Sequence, residues 1–284
     1  IPDDGYGFRT IAHDGVAGTV WARVVNDKGW TKAHYAYPEN DAYTKGLVDE
    51  FKAAAEAAGG EITITGDSYN AEADANFAET VLTAAKEQNA QVLILSMFTD
   101  DAAKIADKWA TFDWGETQPS MLTDRGAVGD EFLNKVQNVS TLEGKMYGTT
   151  LGYPTVHYPD FSASYNTMYG KTPGGSYEEN AYDAVYIIAI AMTMATDPSN
   201  GEAVRDAIAL SQPNDGAEIM NPGNWSAILA ELNASGRVDY DGVAGDSDFN
   251  SDGDVSQSVH LEEVKSGSWA TTETPCWTEA GPCD

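Results

Sequence analysis

Hydrophobic positions in the first half of the chain follow two patterns that alternate along the sequence. Short, nearly continuous apolar runs are typical of buried strands, and apolar residues at every third or fourth position are typical of amphipathic helices. The strands are predicted at residues 31–38, 61–69, 90–98 and 119–124, and the helices at residues 16–27, 42–60, 75–89 and 100–112. Because helices between short strands imply βαβ crossovers, this pattern predicts a Rossmann-like α/β lobe with a parallel, doubly wound sheet.

The pattern changes after Tyr153, where helical periodicity dominates. Helices are predicted at residues 161–170, 180–195, 201–212 and 224–235, and a turn-rich hairpin at residues 240–269. These helices have no predicted strand of their own in the segment. The helix at residues 180–195 is apolar nearly all round, which is typical of burial on several sides. We therefore expect this segment to need a structural element that the sequence does not contain.

The chain is strongly acidic, with 45 Asp and Glu against 16 Lys and Arg and a formal net charge of −29. The cations do not cluster, so no basic face for phosphate binding is expected, and nucleic acid is excluded as a partner. Dispersed acid with scarce Lys keeps a surface hydrated in concentrated salt. This composition is consistent with a halophilic or marine source, and equally with an ordinary acidic secreted protein.

Several features of the chain indicate a location outside the cytoplasm. Cys276 and Cys283 both lie in the last nine residues, and their spacing predicts a small local disulfide rather than a metal pair. Asn-X-Ser sequons occur at Asn138, Asn224 and Asn233 and are compatible with export. The chain starts at Ile1 without a leader pattern, so we expect a processed or trimmed form.

Catalytic and cofactor motifs are weak. The sequence has no GxGxxG after its first strand, no GxxxxGK[ST], no HExxH and no GxSxG. The four histidines are scattered, and none forms a paired spacing; they are His13, His34, His157 and His260. We therefore expect no cofactor and no enzymatic activity.

One turn resembles a calcium loop. The segment "DFNSDGD" follows the opening of an EF-hand, with weak candidate ligands at Asp248, Asn250, Asp252 and Asp254. The twelfth position is Val259 instead of the bidentate Glu, and the flanks have strand periodicity. A tight hairpin turn without metal is the main interpretation.

Four separated segments carry a resemblance to a known family: "FRT" at 8–10, the stretch at 35–62, "NAYDAVYIIAIAM" at 180–192 and the hairpin at 240–269. In order and spacing they resemble the type I periplasmic solute-binding proteins of branched-chain amino acid ABC transporters. The resemblance implies two Rossmann-like lobes joined by three hinge crossings, with the first lobe incomplete in this chain.

The resemblance also implies a division of the chain. Residues 1–13 would end a first-lobe segment and contain the first hinge crossing, and residues 150–257 would form the helical part of that lobe. Residues 14–149 and 258–275 would form the second lobe, and residues 276–284 a disulfide-closed tail.

Strand ends supply the candidate site. Tyr43 follows the carboxyl end of a predicted parallel strand, where doubly wound sheets bind ligands, and its ring could cover an apolar group or face an ammonium group. By resemblance Tyr43 is the ligand-contacting aromatic, Phe98 and Thr99 cover the ligand, and Asp124 accepts from an α-ammonium group. An aromatic lid over the core and a turn-capping Asp are the structural alternatives.

Two further candidates depart from the family pattern or match it loosely. Arg125 follows Asp124 where the family more often has Gly after Glu, so it could neutralise that acid or select an anionic ligand. By resemblance, Tyr177 matches a first-lobe position near the cleft, in a loop that aligns loosely.

The resemblance implies an extracytoplasmic protein that closes by hinge motion around an amino acid, amide or similar small solute and delivers it to a membrane ABC permease. A sensor or receptor domain of the same fold is the first alternative. A structural extracellular protein is the second. Self-association, or a missing N-terminal segment supplied in trans, would cover the incomplete lobe.

Overall fold

The computed structural model of the protein describes residues 5–59, 61–151, 155–173, 177–210, 219–255, 259–272, 277–278 and 281–282. The chain divides into two compact units. Unit 1 consists of Ile1–His13 and Tyr153–Ser258, and unit 2 consists of Asp14–Gly152 and Val259–Asp284.

The elements are named in chain order. Unit 2 begins with α1 (Gly15–Asp27), β1 (Lys32–Pro38), α2 (Ala42–Ala57), β2 (Thr63–Tyr69), α3 (Phe77–Glu87), β3 (Val92–Leu95), α4 (Thr99–Thr111), β4 (Ser120–Thr123), α5 (Asp130–Lys135) and β5 (Met146–Leu151). Unit 1 contains α6 (Tyr158–Tyr169), α7 (Glu178–Met194), α8 (Gly201–Leu210), β6 (Ile219–Met220), α9 (Trp225–Ser235) and β7 (Asp239–Tyr240). Unit 2 resumes with β8 (Val259–Lys265), β9 (Ser268–Thr271), β10 (Trp277–Thr278) and β11 (Gly281–Pro282). Turns of 3₁₀ helix cover Arg125–Ala127 and Val139–Leu142.

Unit 2 is built on one sheet with the strand order β11-β10-β8-β5-β4-β3-β1-β2, and β9 pairs with β8. The pairs among β1 to β5 are all parallel, and β8 runs antiparallel to β5. The order β2-β1-β3-β4-β5 reverses direction between β1 and β3, which is the switch point of a doubly wound sheet. The predicted parallel Rossmann-like architecture is therefore confirmed.

The central strands of unit 2 have no polar face because they are buried on both sides. Every residue of β3 and β4 is buried, as expected for parallel strands with helices on both sides. Trp21 of α1 is fully buried, and its Nε1 donates to the Thr123 carbonyl at 3.2 Å and to Thr149 Oγ1 at 3.1 Å. A Cβ at Gly18 would lie 2.7 Å from the backbone nitrogen of Phe51, so this glycine lets α1 approach α2 closely.

Strands β5, β6 and β7 and helix α5 were not predicted from the sequence. Strand β5, "MYGTTL", and the short helix α5 have too few apolar positions to show a period, and neither was predicted. The expectation that the helices of unit 1 have no strand in their own segment is wrong. β6 and β7 pair in parallel, with Ile219 opposite Asp239 and Met220 opposite Tyr240. Two-residue strands are too short for periodicity to detect.

Asp183 organises the interior of unit 1. Its carboxylate is buried and accepts hydrogen bonds from the Tyr240 hydroxyl at 2.9 Å and from the amides of Val243 at 2.9 Å and Ala244 at 2.7 Å. A Cβ at Gly242 would lie 2.5 Å from Asp183 Oδ2, so the loop after β7 can wrap the carboxylate only with glycine at this position.

Helix α7 has apolar residues on two faces. It buries Ile187, Ile190 and Ala191 but exposes Val185 and Ile188, the first of them to 66%. Most of the exposed large apolar side chains of the described residues belong to unit 1: Tyr6, Val156, Met168, Tyr169, Tyr177, Val185, Ile188, Met192 and Ile219. Within the part of the chain that the structure describes, no helix has the length and apolar character needed to span a membrane.

This apolar exposure leads to a prediction for the 284-residue chain on its own. We expect it to self-associate in water, because contiguous exposed apolar surface favours association. Light scattering at increasing protein concentration should show a rising average mass. Replacing Val185 and Ile188 with Lys should shift the chain towards the monomer, whereas Thr193→Lys on the same helix adds charge without removing apolar surface. A monomer at every concentration would contradict the expectation.

The charge balance leads to a second prediction. With 45 acids against 16 bases, self-repulsion destabilises the fold wherever salt does not screen it. The melting temperature is therefore expected to rise by about 10 °C between about 0.1 M and about 2 M KCl. A melting temperature that stays level or falls as the KCl concentration rises would count against a halophilic origin.

Candidate functional site

The candidate site of unit 2 lies at the carboxyl edge of the parallel strands. Tyr43 is in the first turn of α2 after β1, Phe98 directly precedes α4 after β3, and Asp124 directly follows β4. Since β1 and β3 are neighbours in the sheet, the loops after them flank the switch point, where doubly wound sheets bind ligands.

Local hydrogen bonds fix the start of α2. The Asp41 carboxylate caps this helix by accepting from the Thr44 amide at 2.8 Å and from the Thr44 hydroxyl at 2.9 Å. Ser96, just after β3, donates its hydroxyl to the Thr44 carbonyl at 2.8 Å, and both residues are buried. These contacts join the end of β3 to the first turn of α2 and hold Tyr43 beside the β3 loop.

Two aromatic rings flank the acid. The rings of Tyr43 and Phe98 are stacked, with centroids 6.3 Å apart and an interplanar angle of 22°. Tyr43 is 36% exposed and Phe98 is 52% exposed. The Tyr43 hydroxyl donates to Asp124 Oδ2 at 2.7 Å. One side chain therefore combines a ring surface with a hydrogen bond that orients the carboxylate.

Asp124 is a buried acid, and only one of its two carboxylate oxygens has a hydrogen-bond partner among the described residues. It is 1% exposed, and its Oδ2 accepts from the Tyr43 hydroxyl and from the Gly126 amide at 3.1 Å. Oδ1 is buried and has no hydrogen-bond partner among the described residues. The pKa of Asp124 is raised to about 6, mainly by burial and also by the charge of Asp14, while the hydrogen bonds from Tyr43 and Gly126 act in the opposite direction. A buried acceptor without a partner is unusual in a folded protein and is suited to a ligand donor.

Thr99 and Gly126 shape the turn that carries the acid. Thr99 donates its hydroxyl to the Gly126 carbonyl at 2.9 Å, so it ties the start of α4 to the turn after β4. A Cβ at Gly126 would lie 3.0 Å from the Met97 carbonyl oxygen. Arg125 is half-buried and begins the 3₁₀ turn that the Asp124 carboxylate caps.

The structure thus brings five of the six predicted ligand-binding residues to one edge of unit 2: Tyr43, Phe98, Thr99, Asp124 and Arg125. Tyr177 belongs to unit 1, where it is exposed and precedes α7 with a φ of 78°. Its predicted role as a ligand contact stays a prediction.

The calcium-like segment forms a closed turn. Asn250 Oδ1 accepts from the amides of Asp252 at 2.8 Å and Asp254 at 3.1 Å, and Asp254 also forms an ion pair with Arg9 at 3.1 Å. Two of the four candidate ligands are therefore engaged with the protein itself. This arrangement is the hairpin-turn alternative that the sequence favoured over a metal loop.

An acidic cluster shares Asp248 with this segment. Asp239, Asp246 and Asp248 each place a carboxylate oxygen within 4.8 Å of the others. Burial and the charges of Asp246 and Asp239 raise the pKa of Asp248 to about 6. Asp239 lies in β7, and Asp246 and Asp248 lie two residues apart in the stretch that follows it. This spacing matches no metal-binding motif considered in the sequence. Acidic groups cluster in this way without a metal, and we assign none.

The predicted disulfide lies outside the described residues. In the part that is described, β10 and β11 pair antiparallel, with Trp277 opposite Pro282. Cys276 and Cys283 flank this pair in the sequence.

Unit 1 contains a cavity that the sequence did not predict. It has a volume of about 430 Å³, and its wall combines aromatic rings with carboxylates, formed by Phe161, Tyr165, Tyr169, Tyr182, Asp160 and Glu178. Three of the rings recur at every fourth position of α6, which places them on one helix face. This regular spacing is the sequence feature from which the aromatic helix face could have been predicted.

Comparisons with known proteins identify relatives. A family model described as periplasmic binding protein matches residues 2–268, which confirms the resemblance carried by the four sequence segments. A search of curated proteins finds no significant match.

Solved structures share the fold. The leucine-binding protein LivK of Thermotoga maritima has 19% identity and a TM-score of 0.67, with 91% of this chain and 65% of that chain covered. LivJ of Streptococcus pneumoniae in complex with isoleucine has 18% identity and a TM-score of 0.65, with coverage of 94% and 66%. A solute-binding protein of R. palustris in complex with benzoate has 14% identity and a TM-score of 0.65, with coverage of 96% and 67%. The chain thus spans about two thirds of the length of the structures it matches.

Proposed function

The chain belongs to the periplasmic binding protein family, and on that premise we propose that it is an extracytoplasmic solute-binding protein of an ABC importer. Its ligand is an amino acid or another small solute with an ammonium group. The observation that carries this proposal is the buried carboxylate of Asp124, whose Oδ1 has no partner among the described residues, beside the stacked rings of Tyr43 and Phe98.

Each of these residues has a distinct part in binding. The ligand's ammonium group donates to Asp124 Oδ1, and a hydrogen bond between two charged groups is about twice as strong as a neutral one. The Tyr43 hydroxyl holds the other carboxylate oxygen and fixes the orientation of the acid. The two ring faces cover the apolar part of the ligand and attract its positive charge.

The partner and the location follow from the same proposal. One relative named above, LivJ of Streptococcus pneumoniae, is described as the substrate-binding protein of a branched-chain amino acid transporter, in complex with isoleucine. We propose the same kind of partner here, a membrane ABC permease that receives the solute. Delivery to such a permease requires the protein to lie outside the cytoplasmic membrane.

An anionic ligand is the second candidate. Arg125 stands directly after Asp124 on the same turn, and the R. palustris relative is described in complex with benzoate, which has no ammonium group. Protonated Asp124 beside a guanidinium group would tolerate a carboxylate ligand. The first candidate requires an ammonium group on the solute, whereas the second requires an anionic group.

A calorimetric titration separates them. Amino acids, their amides and small anions, including benzoate, are titrated into the protein expressed from its complete gene. The proposal expects the tightest ligand to carry an ammonium group. Tightest binding by an anion without an ammonium group would support the second candidate, and no binding across the panel would count against both.

The affinity is also expected to depend on pH. Because burial raises the pKa of Asp124 to about 6, the carboxylate that binds the ammonium group is present above that pH and is lost as the pH falls. Affinity for the best ligand should be level above about pH 7 and weaken about tenfold for each pH unit below about 6.

Two variants check the origin of this pH profile. Tyr43→Phe removes a hydrogen bond that favours the charged form, so the midpoint should move to higher pH. Asp124→Asn should flatten the profile. An unchanged midpoint in both variants would assign the titration to another group.

A further inference from the structure

The three sequons of the chain remain outside the solute-binding site. They are Asn138–Ser140 in unit 2 and Asn224–Ser226 and Asn233–Ser235 in unit 1. All three asparagines are exposed. Exposure therefore does not distinguish them, but the local backbone and the partner of each serine hydroxyl do.

In two sequons the serine hydroxyl reaches the asparagine amide. Ser140 Oγ donates to Asn138 Oδ1 at 2.7 Å, and Ser226 Oγ donates to Asn224 Oδ1 at 3.2 Å. Asn138 directly precedes a 3₁₀ turn with φ −139° and ψ 86°, and Asn224 directly precedes α9 with φ −116° and ψ 58°. Neither asparagine has helical backbone angles, so the amide and the hydroxyl are presented on the same side.

The third sequon has a different geometry. Asn233 lies within α9, and its Nδ2 donates to the Leu229 carbonyl at 2.7 Å. Ser235 Oγ donates to the carbonyls of Glu231 at 3.2 Å and Arg237 at 2.8 Å. Side chains two positions apart on a helix do not face each other. An enzyme could therefore engage both groups of this sequon only after the last turns of α9 unwind.

We propose that Asn138 and Asn224 are acceptor sites for N-linked oligosaccharide and that Asn233 is not. This inference rests on the extracytoplasmic location in the proposed function, because a chain that stays in the cytoplasm does not meet the transferase. It does not depend on the identity of the solute.

The co-substrate is an oligosaccharide linked through phosphate to a membrane lipid. Nδ2 of the asparagine forms a bond to the anomeric carbon, and the bond from that carbon to the phosphate oxygen breaks. The bonding electron pair stays on the phosphate oxygen, so the lipid-linked phosphate is the leaving group, and Nδ2 loses one proton to a base of the transferase. No oxidant or reductant is required. The attached sugar is bulky and hydrophilic. Asn138 and Asn224 are both exposed, so the sugar would extend into solvent.

The test uses the chain exported from a host whose export route transfers N-linked oligosaccharides. One additional sequon in a flexible tail at the C-terminus is the internal control, because its occupancy shows that export and transfer took place. Intact mass and fragmentation of the glycopeptides give the number and positions of the glycans. Three serine variants, Ser140→Ala, Ser226→Ala and Ser235→Ala, remove the sequons one at a time.

We expect glycans at Asn138 and Asn224 in addition to the tail. Ser140→Ala and Ser226→Ala should each lose one glycan, and Ser235→Ala should lose none. An occupied tail with Asn138 and Asn224 both bare would overturn the proposal, and so would loss of a glycan in Ser235→Ala. Glycan counts are obtained without ligand, so this test and the solute titration can fail independently.

Discussion

Asp124→Asn is expected to weaken binding of an ammonium-bearing solute by about 10- to 100-fold, which corresponds to about 1.5 to 3 kcal/mol for a hydrogen bond to a charged group. Asn keeps the shape of the side chain and can still accept from the Tyr43 hydroxyl, so the change removes mainly the negative charge. Calorimetry on the protein expressed from its complete gene measures the effect.

The matched control for this variant is Asp113→Asn in the same unit. The Asp113 side chain is 94% exposed, so removing its charge should leave the affinity unchanged. Tyr43→Ala should cost about 1 kcal/mol, because it removes a ring face and one hydrogen bond to the acid. Equal affinities in wild type, Asp124→Asn and Tyr43→Ala would place the solute site elsewhere.

Asp183→Ala is expected to lower the free energy of unfolding of unit 1 by about 3 kcal/mol, because it leaves buried donors without an acceptor. The affected donors are the Tyr240 hydroxyl and the amides of Val243 and Ala244. Hydrogen exchange of the two amides reports on unit 1 directly, which avoids assuming that both units unfold together.

Two comparisons sharpen this prediction. Asp252→Ala, at an exposed acid of the same unit, should change stability little, whereas Gly242→Ala should destabilise by pushing a methyl group against Asp183.

Burial raises the folded pKa of Asp183 from its ordinary value of 3.8 to about 6. Its contribution to stability is therefore fully present below the lower value and declines as the pH rises through the higher one. The cost of Asp183→Ala should thus be greater at about pH 4 than at about pH 7. Unchanged exchange at Val243 and Ala244 would contradict the assigned role.

The main elements of unit 2 could be predicted because their sequences have one clear period each. The helix at residues 100–112 and the strand at 90–98 agree with α4 and β3, since periodic burial on one face and continuous burial of a parallel strand leave different patterns. β5 could not be predicted in this way, because Gly148 and two threonines interrupt its apolar positions.

The candidate site was predictable to the level of the backbone. Parallel strands end at the same edge of a sheet, so the residues after β1, β3 and β4 had to lie near each other once the sheet was known. Two features depend on side-chain conformation, which the sequence pattern does not specify. They are the hydrogen bond from Tyr43 to Asp124 and an Oδ1 that has no partner among the described residues. The role of Asp183 could not be predicted from the sequence either. Its hydrogen-bond partners lie on β7 and the loop that follows, far from Asp183 along the chain.

The most direct test of a solute site built on Asp124 compares two ligands that differ only in the ammonium group. The best amino acid from the titration panel and the same molecule with hydrogen in place of its α-amino group are titrated into the wild-type protein near neutral pH. We expect the amino acid to bind at least about tenfold more tightly than its des-amino counterpart, and we expect this difference to disappear in Asp124→Asn. Equal affinity of the wild-type protein for both molecules would contradict a solute site built on this carboxylate.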